Sequence, residues 1–500
     1  MGLKKLVALP LAKRVKKRLL KKAGSAAETQ LKVLDSLINS GAKTKYGSDH
    51  GLKSGMDYHS YKSTIPAKDY EAFRPYVEQI KANASDVLWP GKPDYLCKTS
   101  GTTSGAKYIP LTKESLKTQI AAARNALFCY VAESGNSDFL NGKMIFLQGS
   151  PLLETLPSGV KFGRLSGIVA NYVPAYLQRN RMPSFETNCI EDWEEKVSAI
   201  TDETLKEDMT LISGIPSWVQ MYYEELLKRT GKKKIKEVFP NFSLFVYGGV
   251  NFDPYKERFK ELIGEEIPTI ELYPASEGFI AFQDSQSEKG MLLNIDAGMF
   301  FEFIPAEEAS NENPTRLHVG QVELNKNYAL LITSNAGLWA YSIGDTVEFT
   351  SLNPPRIKVT GRIKHFTSAF GEHVIGKEVE TAMTAACEEH GASIREFHVA
   401  PQVTPVEGLP YHEWLVEFES KPKDKNAFIN SLEKSMKEQN VYYLDLIKGK
   451  VLRELVISEL DSSAFESYMK SQGKLGGQNK VPRLSNDRKI ADALAQYVVN

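Results

Sequence analysis

The chain has 500 residues, 42% of them hydrophobic and 25% charged, the composition of a folded protein with a large core, which excludes a fibre or a disordered chain. Its 62 Lys and Arg are balanced by 62 Asp and Glu, so no net field draws in nucleic acid, and a small substrate is expected. Cys97, Cys129, Cys189 and Cys387 stand far apart with no CxxC pair, which argues against a zinc cluster or disulfide scaffold and suits a cytoplasmic location.

In chain order, the opening "MGLKKLVALPLAKRVKKRLLKK" carries nine Lys or Arg and no acid. Its apolar stretch, Leu6 to Ala12, is short and broken by Pro10, so neither secretion nor a membrane span is expected; a membrane-touching amphipathic segment is one reading, and a solvated basic helix face, dispensable for catalysis, is the preferred one. From Gln30 the spacing of Leu31, Leu34, Leu37 and Ile38 predicts an amphipathic helix.

The run "CKTSGTTSGAKYIPLT", Cys97 to Thr112, is a Gly-rich hydroxylic loop closed by Lys107, a composition that wraps phosphate through close backbone approach, N–H groups and a cation. Gly101 and Gly105 have three residues between them and Lys107 is followed by Tyr108, so the spacing is not that of a Walker loop; a plain surface turn is the bland alternative. Its flanks read as strands, and Thr112 as the cap of a helix beginning "KESLKTQI".

Helical stretches then alternate with the short apolar strands "KMIFLQGS", "MTLISGI", "LFVYGGV" and "TIELYPASEG", which predicts an α/β domain with layered sheets and ligands outside the strands' carboxyl ends. Between "MFFEFIP" and "RIKVTGR" short strands with turns predict a β subdomain. Beyond Gly361 helices and strands again alternate, predicting a small α+β domain at 362–500 after a large domain at 1–361.

Four further motifs carry chemistry. "LYPASEGF" offers Tyr273 for stacking on a base and Glu277 as an oxygen ligand for magnesium; "YSIGDTVEF" puts Asp345 where a carboxylate accepts from sugar hydroxyls. "VTGRIKHF" sets the permanent cation Arg362 at the domain boundary, and "GKLGGQNKVPRLSN" is a late Gly-rich loop carrying Lys480. Each has a bland reading as a buried Tyr, a turn Asp, a surface Arg or a loop Lys.

In that order these motifs resemble the adenylate-forming superfamily of acyl-CoA synthetases, luciferases and peptide-synthetase adenylation domains. With "SGIPSWVQM", "YGGVNFDPY", "ITSNAGLWAYSIGDTV", "GRIKHFTSAFGEHV" and "HEWLVEF", the chain is more closely similar to the auxin-responsive acyl acid amido synthetase family, in its bacterial branch. The resemblance implies a large domain binding ATP and a carboxylic acid, a small mobile C-terminal domain, and a two-step ligation through an acyl-adenylate to an amine, typically of an amino acid. It implies that Ser100, Gly101, Thr102, Thr103, Ser104, Gly105 and Lys107 hold ATP phosphates, with Gly248 and Gly249 also lining the ATP site. It places Tyr273 and Ser276 by the adenine and α-phosphate, Glu277 on Mg2+, Asp345 on the ribose, Arg362 on ribose or phosphate, Lys364 at the hinge and Lys480 as the C-terminal catalytic lysine.

Three positions depart from the wider pattern: Ala106 stands where Pro is usual, Pro274 where Gly is usual, and Ser342 where many relatives have Arg, which leaves open what steadies Asp345. Leu152, Leu165, Ile215 and Trp218 are candidates to line an acyl pocket or to pack the core. Two rival functions remain at this stage: ligation to coenzyme A, and a non-catalytic ligand-binding relative that keeps the fold.

Overall fold

The computed structural model describes residues 3–99, 107–172, 179–190, 192–249, 252, 255–309, 311–363, 366–367, 374–402, 405–448, 452–474, 480–485 and 487–499. Ser100, Gly101, Thr102, Thr103, Ser104, Gly105 and Lys364 lie outside the described residues, and only the backbone of Arg362 is described.

Capping chemistry fixes the helices where the sequence places it. Thr112 Oγ1 accepts from the Ser115 N–H at 3.1 Å while Ser115 Oγ accepts from the Thr112 N–H at 3.0 Å, a reciprocal box that starts the helix Lys113–Ser134 directly after a strand. Helix Ala26–Gly41 buries Leu34, Leu37 and Ile38 of the apolar side its spacing predicts, while Leu31, at the edge of that side, is exposed and Gln30 is buried instead. The basic opening forms helix Leu3–Ala23. It buries Ala12, Val15 and Ala23, packs along Lys113–Ser134, and is fastened by Lys16 to Glu133 at 2.5 Å and by Lys22 to Asp296.

Contact density divides the chain into two compact units, 1–249 with 266–359 and 250–265 with 360–500. The first unit is built on a twelve-stranded sheet in the order Leu317–His318, Met299–Pro305, Asn327–Ser334, Tyr341–Leu352, Pro355–Arg362, Met291–Leu293, Gly278–Phe282, Thr269–Ala275, Leu244–Gly248, Met209–Ser213, Lys143–Phe146 and Arg181–Met182. The five strands from Thr269–Ala275 to Arg181–Met182 run parallel. The β-rich stretch after Met291 supplies antiparallel strands to this same sheet. Burial agrees with this: the parallel strand Met209–Ser213 is buried from Met209 to Ile212, as strands covered on both faces are, and the one polar side chain among them, Thr210, donates its hydroxyl to the Phe139 carbonyl at 2.7 Å.

A second sheet, in the order Lys107–Leu111, Tyr95–Thr99, Lys161–Gly163 and Glu154–Thr155, carries the hydroxylic loop. Two buried ion pairs fasten the antiparallel half: Arg316 forks onto Glu302 at 2.9 and 2.7 Å, and Arg356 forks onto Asp284 with both contacts at 2.9 Å.

The second unit packs helices Gly376–His390 and Lys425–Gln439 against a three-stranded sheet, Ser393–Gln402, Tyr411–Ser420 and Val456–Glu459, around Phe397, Trp414 and Phe428. Helix Lys256–Ile263 belongs to this unit, joined to it by Arg258 to Glu419 at 2.9 Å.

Candidate active site

Strands Tyr95–Thr99 and Lys107–Leu111 pair antiparallel with Thr99 opposite Lys107, so the two residues that flank the hydroxylic run are fixed neighbours. Lys107 is half-buried, its ammonium 5.8 Å from the centre of the Tyr70 ring. The Tyr70 hydroxyl in turn accepts from the Tyr108 N–H at 2.8 Å, which fixes the strand that carries the lysine.

At the other side of the loop base, burial pushes the Cys97 thiol up to about 12, so it stays a neutral S–H donor. It donates to Ser276 Oγ at 3.2 Å and so ties the loop hairpin to the end of a large-sheet strand. Cys97 was expected only as a reduced cysteine, and its hydrogen bond is the added fact.

Ser276 and Glu277 form the two-residue tip between strands Thr269–Ala275 and Gly278–Phe282, with Ala275 opposite Gly278. Strand Leu244–Gly248 lies alongside with Gly248 level with Leu272, and a Cβ on Gly248 would come within 2.4 Å of the Leu272 carbonyl oxygen. Only glycine allows that approach. The chain then leaves the strand at Gly249, beside the same carboxyl end that carries Tyr273, Ser276 and Glu277.

Asp345 reaches this cluster through a bulge. Opposite strand Asn327–Ser334 the pairing jumps from Ala329 with Thr346 to Leu331 with Ser342, leaving Ile343, Gly344 and Asp345 outside the regular ladder. Gly344 takes φ +85°, a conformation other residues enter at a cost, and the kink turns Asp345 to meet Tyr273. Tyr273 Oη donates to Asp345 Oδ2 at 2.5 Å, and both residues are buried. This answers the question left by Ser342: a tyrosine hydroxyl from the neighbouring motif steadies the carboxylate.

Glu277 is partly exposed, beside the fully buried Tyr341. Burial first, and the Glu277 carboxylate second, raise the pKa of the Tyr341 hydroxyl, so it remains protonated. Among the described residues no group of three or more His, Cys, Asp or Glu is placed to hold a metal. A single, partly exposed carboxylate is nevertheless a donor that suits magnesium, which keeps several waters and takes remaining oxygens from substrate phosphates.

Lys480 and Arg362 fall in the second unit. Lys480 is exposed and stands immediately before a segment pinned to strand Ser393–Gln402. There the Val399 N–H donates to Arg483 O at 2.8 Å, the Ser485 N–H donates to Val399 O at 3.0 Å, and Arg483 lies 4.8 Å over the Phe397 ring, paired with Glu396. Arg362 ends strand Pro355–Arg362. Of the candidate acyl-pocket residues, Leu165 and Trp218 are buried, Trp218 packing on Trp193 at 4.9 Å, while Ile215 is half-buried and Leu152 is exposed.

One buried residue near them was not anticipated. Lys196 donates to the carbonyls of Gln148 at 3.0 Å and Asn188 at 2.6 Å, and burial lowers its pKa to about 8. In the sequence it sits in "DWEEKV", which reads as a solvated helix face; its depth is set by neighbours far along the chain.

The GH3 family N-terminal domain matches residues 15–187 and 165–268, the central domain 292–362 and the C-terminal domain 377–489. Similar proteins include a jasmonoyl–L-amino acid synthetase of Oryza sativa subsp. japonica, 23% identical with 95% of each chain covered. An indole-3-acetic acid-amido synthetase of Arabidopsis thaliana is 22% identical over 94% of this chain and 91% of its own. Among solved structures, the acyl acid amido synthetase AtGH3.15 in complex with 2,4-DB superposes with a TM-score of 0.80, 18% identity, and 98% and 96% coverage. A 2-hydroxyisobutyryl-CoA ligase has the same fold at a TM-score of 0.58 and 13% identity, covering 96% of this chain and 91% of the ligase. Matched in order by all three parts over most of its length, the chain belongs to the GH3 family.

Proposed function

We infer that this protein is an ATP-dependent ligase that converts a carboxylic acid to its acyl-adenylate with release of pyrophosphate, then passes the acyl group to an amine, that of an amino acid. The observation that carries the reading is the meeting of Tyr273, Asp345, Ser276 and the loop hairpin at the carboxyl ends of the parallel strands. The amido synthetase relatives support an amine acceptor over coenzyme A; the fold alone, shared with an acyl-CoA ligase, does not choose between them.

In this reading the carboxylate of the acid attacks the α-phosphorus of ATP, the bond to the β-phosphate oxygen breaks, and the amine later attacks the acyl carbon with AMP leaving. The loop N–H and hydroxyl groups with Lys107 hold the phosphates, Asp345 accepts from the ribose hydroxyls, and Ser276 sits at the α-phosphate. Glu277 would hold magnesium, which supplies charge neutralisation at the phosphates when bound. Two anions must be brought together, so preorganised positive groups contribute most of what the protein supplies, and in-line positioning contributes up to roughly 7–11 kcal/mol in favourable cases.

Acid-dependent exchange of labelled pyrophosphate into ATP over a panel of carboxylic acids tests the first step, with mass spectrometry of products formed with amino acids or coenzyme A testing the second. Exchange and an acyl-amino acid product are expected; release of ADP and orthophosphate would overturn the adenylation step.

The Tyr273–Asp345 bond gives a narrower expectation. Tyr273→Phe keeps the ring and deletes the donor, and a hydrogen bond to a charged group is worth roughly 1.5–3 kcal/mol. The bond is already made without ATP, so the melting temperature should fall measurably, and the KM for ATP should rise as Asp345 loses the donor that orients it. An unchanged KM would show that Asp345 is positioned without the hydroxyl.

A further inference from the structure

Helix Leu3–Ala23 has two faces of different character. Ala12, Val15 and Ala23 are buried, and Lys16 and Lys22 pair with acids of the body of the protein. On the opposite side Lys13, Arg14, Lys17, Arg18 and Lys21 are all exposed, and among the described residues none of them pairs with an acid. At 3.6 residues per turn these five fall within one arc, together with exposed Pro10 and with Leu11, 46% of whose surface is accessible. Lys13 with Lys17, Arg14 with Arg18 and Lys17 with Lys21 are like-charge pairs one turn apart, an arrangement that destabilises a helix in solution by itself.

The charge of the whole chain is segregated accordingly. Removing the nine cations of residues 1–22 from the total leaves 53 Lys and Arg against 62 Asp and Glu, so a cationic helix is fixed to an anionic body. Such a molecule orients in the field of a negative surface.

We propose that this face is a docking surface for an anionic lipid membrane, on which the helix lies flat and reversibly. Two observations favour lipid over nucleic acid. The helix contains no aromatic side chain to stack on bases, and exposed Pro10 and Leu11 place apolar surface beside the cations. Among the described side chains of the helix, Ala12, Val15 and Ala23 are turned into the protein and the cations outward, and no described helix is long and apolar enough to cross a membrane. Attraction is therefore electrostatic and falls off with salt. The inference does not depend on the reaction assigned to the site.

Co-sedimentation of the full chain with phosphatidylcholine vesicles, with and without phosphatidylserine, tests it. Binding is expected only to the anionic vesicles and is expected to be lost at high salt. Each charge removed from Lys13, Arg14, Lys17 and Arg18 by substitution with Gln should weaken partitioning about fivefold, and Arg14→Lys should retain it. Melting curves identify any variant that fails to fold, and the single variants Lys13→Gln and Lys17→Gln then carry the test. Equal binding to both kinds of vesicle, undiminished binding by the folded quadruple variant, or tighter salt-sensitive retention on single-stranded RNA than on the anionic vesicles would each overturn the proposal.

Discussion

Replacing Lys480 with Ala is expected to lower pyrophosphate exchange by about a hundredfold to a thousandfold, the range lost when one preorganised charge is removed from a transition state. The residue is exposed, so the substitution leaves no cavity, and the segment after it remains held through Val399, Phe397 and Glu396. The melting temperature should stay within about a degree of wild type, as for surface substitutions away from packed features. The second half-reaction distinguishes a transition-state role from general damage. Given chemically made acyl-adenylate, the variant should form amide at a rate closer to normal, because AMP leaves without a developing pyrophosphate charge. Near-normal exchange by the variant would overturn the catalytic role that the family resemblance implies for Lys480.

The largest expected effect on stability lies away from the reacting groups. Glu302 is buried under the Arg316 guanidinium, which also donates to the carbonyl of Lys62 at 3.1 Å and to that of Ile65. Glu302→Ala strands a buried cation among backbone carbonyls, and breaking such a pair from one side costs about 3–5 kcal/mol. Thermal melting should show a loss of several degrees, with the first unit unfolding earlier. Replacing both partners by Met is expected to recover part of this loss, since the uncompensated charge goes too, although the carbonyls of Lys62 and Ile65 then lose their donor. A single variant as stable as wild type would mean that water reaches Arg316.

The sequence made some of this architecture legible and hid other parts for physical reasons. Local signals were sufficient for the Thr112 cap, the strand ends flanking the hydroxylic loop, and the parallel strands with small residues at their carboxyl ends. The motif residues Tyr273 and Asp345 could be picked out, yet their mutual bond could not, because they are 72 positions apart and meet only through a bulge around Gly344. Likewise Lys196 looks like any helix-surface lysine until Gln148 and Asn188 are folded against it. The β-rich stretch was recognisable as strands, whereas its place as the antiparallel half of the large sheet depends on Met291–Leu293 pairing with Pro355–Arg362, which no local pattern encodes.

The membership of residues 250–265 in the second unit bears on how the chain acquires its structure during synthesis. Tyr255 accepts from Arg483 at 3.1 Å, and Arg258 pairs with Glu419, so a segment made early binds partners made more than a hundred residues later. The second unit is therefore discontinuous in sequence, and a fragment beginning at residue 360 lacks part of it. Until the ribosome has delivered Arg483, the buried rings of Phe252, Tyr255 and Phe259 lack that part of their final setting, which leaves an apolar stretch for a chaperone to cover in the nascent chain.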